Sequence, residues 1–175
     1  NTIDEMLPNT RSILNIGNGF FKLRKYDYAI KTYKKGKKLL RGDYPFAFEL
    51  AKVYEAKGDI TKASESLVSI MDFGDEYLES VKNALSTFLG GNSNGKRKKV
   101  VKEELLSKIQ SNPDNTGFAE LLIWFYLQDK NFSAAFIHSK ALDKRNDESG
   151  RRIIRLAKIC TQNKVYEVAI KSYEY

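Results

Sequence analysis

Side chains of matching size recur 34 positions apart along this chain of 175 residues. Gly17 is answered by Ala51, Phe20 by Tyr54, Tyr26 by Ile60, Ala29 by Ala63 and Tyr33 by Leu67. The same offset returns further on, pairing Leu122 with Leu156, Phe132 with Tyr166 and Ala135 with Ala169. A fixed period of this length marks one supersecondary unit that buries its apolar face only by stacking on copies of itself.

Within a period the apolar pattern is helical twice over. Ile13, Ile16, Phe20 and Leu23 step by three and four residues, as do Tyr26, Ala29, Ile30 and Tyr33 after a short polar break. Leu50, Val53 and Tyr54 repeat the first pattern, and Ile60, Ala63, Leu67 and Ile70 the second. The breaks at Arg24-Lys25, Lys57-Gly58-Asp59, Asp129-Lys130-Asn131 and Asn163-Lys164 leave room only for a tight turn between antiparallel helices. Gly17, Ala51 and Ala157 on first helices, and Ala29, Ala63, Ala135 and Ala169 on second ones, fall where two backbones must come close. Larger side chains there would hold the helices apart.

These residues resemble the tetratricopeptide repeat (TPR) family. The run Asn15-Ile16-Gly17-Asn18-Gly19-Phe20-Phe21-Lys22 followed by Tyr26-Asp27-Tyr28-Ala29-Ile30 is similar to its consensus. So are Leu50-Ala51 with Tyr54, Gly58-Asp59 and Ala63, and Leu156-Ala157 with Tyr166-Glu167-Val168-Ala169-Ile170. The unit from Leu122 to Ala135 departs from it, with Ile123 where a small residue is usual. The family's frequent tryptophan is replaced by Ile13 and Ala47. The resemblance implies an all-α fold: a right-handed α-solenoid of stacked antiparallel helix hairpins, about five units long.

The spacing also locates an irregular unit. Ala63 and Ala135 lie 72 residues apart, two periods plus four. The turn-forming stretch Gly90-Gly91-Asn92-Ser93-Asn94-Gly95 is the natural place for the extra residues, as a loop insertion near 90–97. The expected units are 10–43, 44–77, 78–115, 116–149 and an incomplete 150–175 within a single array. The last would need to reach about residue 183 to be whole. Leu7-Pro8-Asn9 reads as the close of an earlier hairpin, so a longer array is expected.

Composition agrees. Only three prolines occur, Pro8, Pro45 and Pro113, each near a unit boundary. The longest apolar run, Leu121 to Leu127, is seven residues, far short of the roughly 20 that span a bilayer. A single cysteine excludes an internal disulfide and leaves the compartment open. The chain is expected to be soluble, cytoplasmic or exported, with its natural start upstream of Asn1.

Charge is unevenly placed. From Lys22 to Arg41 nine basic residues face one acid, Asp27, a surplus equal to the net charge of the whole chain, +8. Lys31, Lys34, Lys35, Lys37 and Lys38 form a basic patch on the second helix of the first unit. An acidic protein, an anionic surface or a nucleic acid would fit it. A solvated helix face explains it more simply, because charge runs on exposed helices usually serve solubility. Nucleic acid is accordingly disfavoured.

Chemistry finds no foothold. Gly90 to Lys96 has the G-x-x-x-x-G-K spacing of a phosphate-binding loop, but Arg97 follows where a serine or threonine would ligate magnesium. The residues before it, Val81 to Leu89, step like a helix rather than the required strand. His138 and Cys160, the sole histidine and cysteine, lie on different helices at different phases, and Cys160 takes the buried place of Phe20 and Tyr54. No set of ligands has metal spacing. No catalytic residue, metal or cofactor is expected, and the chain is read as not an enzyme.

The resemblance implies a concave groove lined by first helices, where a partner docks as a peptide or helix. Carrying over its phases gives Asn15, Asn18, Phe21 and Lys22; then Phe48, Glu49, Lys52 and Glu55; then Glu120, Trp124, Leu127 and Gln128; and Arg151, Arg155 and Lys158. Phe21, Phe48 and Trp124 are the expected anchors, although Trp124 could equally belong to the core. One branch of the family clamps a ligand carboxylate with lysines and asparagines. Asn18 matches one clamp asparagine, but Leu14 stands for the lysine and Glu49 for another asparagine, so that role is disfavoured. The expected function is a protein-interaction scaffold for an unidentified protein or peptide. The alternatives are polyanion binding through the basic helix, or service as an accessory domain of a larger protein. The incomplete terminal unit offers an edge for homo-oligomerisation.

Overall fold

The tight breaks between paired helices share one backbone solution. Arg24, Gly58, Lys130 and Lys164 sit at the same repeat phase, and all four adopt left-handed backbone, with φ of 57°, 84°, 54° and 60°. The amide of the next residue then reaches five residues back. Lys25 donates to the Phe20 carbonyl at 2.9 Å, Asp59 to Tyr54 at 2.9 Å, Asn131 to Tyr126 at 2.8 Å and Val165 to Cys160 at 2.9 Å. This closes the helix end by satisfying carbonyls that have no intrahelical partner. Left-handed backbone costs a non-glycine residue about 1–2 kcal/mol; the closing bonds and the packing beyond them hold it in place. The next helices begin on side-chain caps at two of the four turns, Asp59 accepting from Lys62 N and Asn131 from Ala134 N, both at 3.1 Å.

The computed structural model describes residues 9–90, 94–146 and 150–175. Among them the structure is all-α, with ten α-helices and no strand. The chain divides into two compact units, residues 1–101 and 102–175.

The first unit holds α1 (Thr10–Lys22), α2 (Tyr26–Leu39), α3 (Ala47–Lys57), α4 (Ile60–Val68), α5 (Leu78–Leu89) and the start of α6 (Asn94–Ser111). α1 pairs with α2 and α3 with α4, while α2 also packs on α3. The small residues work as the spacing requires. Ala29 and Ala63 are fully buried and Ala51 nearly so. A Cβ at Gly17 would collide with the Tyr33 ring, and one at Gly36 would lie 2.5 Å from Ile13 Cγ2. Each helix of the first hairpin thus takes a large side chain of the other over a glycine. Tyr33, Phe46, Ile13, Val68, Ile70 and Met71 are all buried in this unit, each large apolar side chain contributing about 1.5–3 kcal/mol.

Two details differ from the sequence expectation. Ile70 is not on the second helix of its hairpin. α4 stops at Val68, and 3-10 turns over Ser69–Phe73 and Asp75–Tyr77 flank Gly74, whose φ of 140° is open to glycine and strained for other residues. Ile70 and Met71 are buried nonetheless. The expected loop near 90–97 is also shorter, because α6 already begins at Asn94; residues 91–93 lie outside the described residues. Arg97, on α6, donates through Nη1 to Glu55 Oε1 at 2.5 Å and to the Phe88 carbonyl at 2.6 Å. Its guanidinium lies 4.6 Å from the Phe88 ring centroid. No strand precedes this segment, since Leu78–Leu89 is helical.

The second unit holds the rest of α6 with α7 (Thr116–Gln128), α8 (Phe132–Arg145), α9 (Arg151–Gln162) and α10 (Tyr166–Tyr173). One core cluster gathers Phe132, Ala135, Leu156, Cys160, Val168 and Ala169; another gathers Ala119, Ile123 and Leu142. Ile123, the bulky residue at a small-residue phase, is buried in the second cluster beside Ile109 of α6. On α10, Tyr166, Ile170 and Tyr173 are exposed.

Candidate functional site: a recess between α1 and α3

Five of the groove residues expected from the sequence line one recess of about 230 Å³ in the first unit: Asn18 and Phe21 from α1, and Phe48, Glu49 and Lys52 from α3. Tyr33 of α2 and Val53 of α3 complete it. Tyr33 reaches the recess because Gly17 lets its ring lie against α1. Its hydroxyl then donates to Asn18 Oδ1 at 3.1 Å. That bond fixes the Asn18 amide and leaves its Nδ2 available as a donor. Behind the recess Phe46 stacks on Tyr33, with ring centroids 5.7 Å apart, and meets Tyr44 edge-on at 4.6 Å.

The acid of the recess is held by Tyr44, whose hydroxyl donates to Glu49 Oε1 at 3.0 Å. Glu49 Oε2 is cut off from solvent and has no hydrogen-bond partner. Lys52, one helical turn along, points elsewhere, and its Nζ lies 5.3 Å from the Phe21 ring centroid. The recess therefore combines three aromatic side chains, an amide donor, an ammonium and a carboxylate with unused hydrogen-bonding capacity.

Burial, followed by the Glu49 charge and then Tyr44, pushes the Tyr33 pKa up to about 12. Burial, the Glu49 charge and the hydrogen bond to Glu49 push Tyr44 up to about 12 as well. Both phenols thus hold their protons more tightly in the folded chain than at the ordinary value of 10. The stability they contribute is whole below about pH 10 and is lost as the pH climbs towards 12. Urea midpoints should fall along this range, and the total fall should be larger in wild type than in Glu49→Gln, which removes one of the two main causes of the raised values and leaves burial in place. An unchanged profile in that variant would contradict the link between Glu49 and the two tyrosines.

The remaining expected residues are placed differently. Asn15 and Lys22 are exposed on α1 outside the lining, and Glu55 is engaged by Arg97. In the second unit Trp124 and Leu127 are half-buried on α7, with Leu127 packed against both core clusters. Gln128, Arg151, Arg155 and Lys158 are exposed, and Glu120 accepts from Arg152 Nε at 2.6 Å. On α2, Lys31, Lys34, Lys37 and Lys38 are exposed and Lys35 is half-buried. These lysines border two open depressions, one with Asp27 and Ile30 and the other with Arg41 and Gly42. Repeat phase alone does not place Tyr33 and Tyr44 at the site. The signal for Tyr33 is Gly17, the gap opposite it; Tyr44 lies between hairpins, where the phase gives no guide.

Cys160 is fully buried and burial pushes its thiol pKa up, while burial pushes His138 down and its ring stacks on Tyr126 at 5.3 Å. Among the described residues no three His, Cys, Asp or Glu side chains group as metal ligands, and no helix is long and apolar enough to cross a membrane.

Paired antiparallel helices, a left-handed turn residue at one phase and small residues at the helix contacts are the marks of one repeat type. The hairpins are TPR-like. Among solved structures, this TPR-like chain is similar to TTC0263, a thermophilic TPR protein of Thermus thermophilus, at 18% identity over 94% of this chain and 88% of that chain, with a TM-score of 0.45. It is also similar to YrrB, described as a TPR protein with an unusual peptide-binding site, at 12% identity over 99% and 87% with a TM-score of 0.43. A third is MamA protein, at 18% identity over 93% and 86% with a TM-score of 0.42. No protein-family model matches the chain, and no curated protein sequence does.

Proposed function

We propose that this chain is a non-enzymatic protein-interaction module that holds a peptide or helix of a partner protein in the recess between α1 and α3. What carries the reading is the convergence of Asn18, Phe21, Phe48, Glu49 and Lys52 on one recess. Aromatic anchors ringed by polar groups dominate binding energetics at protein interfaces. Asn18 Nδ2 supplies a donor and Glu49 an acceptor, the pair that a main chain or polar side chain requires. Phe48 is 36% exposed, so its ring is available without unfolding the hairpin. Within the second unit, taken by itself, Trp124, Leu127, Gln128, Arg155 and Lys158 are proposed as a further set of partner contacts.

The test is capture of partners by the immobilised chain, with mass spectrometry of what is retained. Proteins bound through the recess should be lost from a Phe21→Ala/Phe48→Ala variant and kept by Lys34→Ala/Lys38→Ala. The reverse pattern, with retention abolished by salt, would instead assign the interaction to the basic helix as a polyanion site.

A further inference from the structure

We propose that the recess selects an arginine side chain carried by an extended segment of the partner, with the guanidinium against the Phe21 and Phe48 rings and paired to Glu49. This rests on the recess being the docking site and names the chemistry it recognises. The motivating feature is a missing donor. Glu49 Oε1 is served by the Tyr44 hydroxyl, but Oε2 is shielded from solvent with no partner. An ionised carboxylate oxygen in that state has lost its water and gained nothing in return. Among the described residues no cation pairs with it, although Lys52 lies only one turn away. Pairing with an arriving donor requires the Glu49 side chain to change rotamer, because Oε2 is closed to solvent in the unbound chain.

The rings supply the second half of the selectivity. Lys52 already rests its ammonium 5.3 Å from the Phe21 centroid, so this ring face accepts a cation. A guanidinium is the better occupant, because its planar fork pairs with a carboxylate while its face stacks on an aromatic ring. Glu49 is the one carboxylate of the recess lining and raises the proton affinity of the neighbouring Tyr33 and Tyr44. A partner carboxylate would meet that charge directly. Lys52 is then a competitor of the ligand: it occupies the ring face and repels a second cation. This gives the proposal an opposite sign from a lysine that clamps an acidic ligand.

The experiment is a titration of 15N-labelled protein with a capped pentapeptide bearing one central arginine, with citrulline and glutamate versions as comparators. The expected result is shifts in the amides of Asn18, Phe48 and Val53 with the arginine peptide, and binding about tenfold weaker or less with the other two. Glu49→Gln should lose about tenfold. Lys52→Ala, a change at an exposed position, should bind about two- to fivefold more tightly by removing the competing charge. Weaker binding in Lys52→Ala, or equal binding of the arginine and citrulline peptides, would overturn the arginine assignment. So would preference for the glutamate peptide. None of these depends on the capture assay, in which loss through Phe21 and Phe48 tests recess docking itself.

Discussion

Phe46→Ala is expected to cost about 3–5 kcal/mol and to lower the unfolding temperature of the first unit by about 15 °C or more. Phe46 is fully buried, stacks on Tyr33 and meets Tyr44 edge-on. Those two tyrosines hold Asn18 and Glu49, so the loss reaches the recess through both. Phe46 also precedes α3 with a φ of 50°, left-handed backbone for a bulky residue. Alanine leaves that strain in place, whereas glycine relieves it. Phe46→Gly should therefore be the milder change by about 1 kcal/mol, inverting the usual order of the two residues. Thermal melts of both variants check this; a cost below about 1 kcal/mol, or glycine clearly worse than alanine, would contradict it.

Two glycines on one helix should respond with opposite signs. Gly17→Ala drives a methyl group into Tyr33 Cε1 and Cζ. The ring cannot withdraw, since it is 1% exposed, backed by Phe46 and tied to Asn18. A loss of about 1–3 kcal/mol is expected, together with weaker partner binding as Tyr33 leaves its place. Gly19→Ala meets nothing within 4 Å and should gain about 0.5–1 kcal/mol from helix propensity. Urea midpoints of the two variants test the register directly. If both shift the same way, the nesting of Tyr33 over Gly17 is wrong.

The same nesting explains how much of the fold is legible in the sequence. Gly17, Ala29, Ala51 and Ala63 carry the period because backbone approach tolerates only small side chains, and that constraint acts on composition wherever hairpins stack. First-helix phase therefore leads to Asn18, Phe21, Phe48, Glu49 and Lys52. It cannot lead to Tyr44, which sits between hairpins and reaches Glu49 only through the path of the loop. Nor can it show that Glu55 is engaged by Arg97, 42 residues away, because a long-range ion pair leaves no periodic trace. α7 hides its phase for another reason: Phe118, Ala119, Leu121, Leu122, Ile123 and Phe125 are all buried, so nearly the whole circumference reads as apolar and no face stands out. The 3-10 turns after Val68 escape because Ile70 keeps helical spacing while Gly74 redirects the backbone.

The central claim is that a partner is held by the α1–α3 recess rather than by the lysines of α2. It is tested most directly by isothermal titration of a captured partner against wild type, Phe21→Ala/Phe48→Ala and Lys34→Ala/Lys38→Ala. The prediction is an affinity loss of about 30-fold or more in the first variant, with its melting temperature close to that of wild type and with little change in the second. Wild-type affinity after removal of both phenylalanines, or a loss confined to the lysine variant, would contradict it.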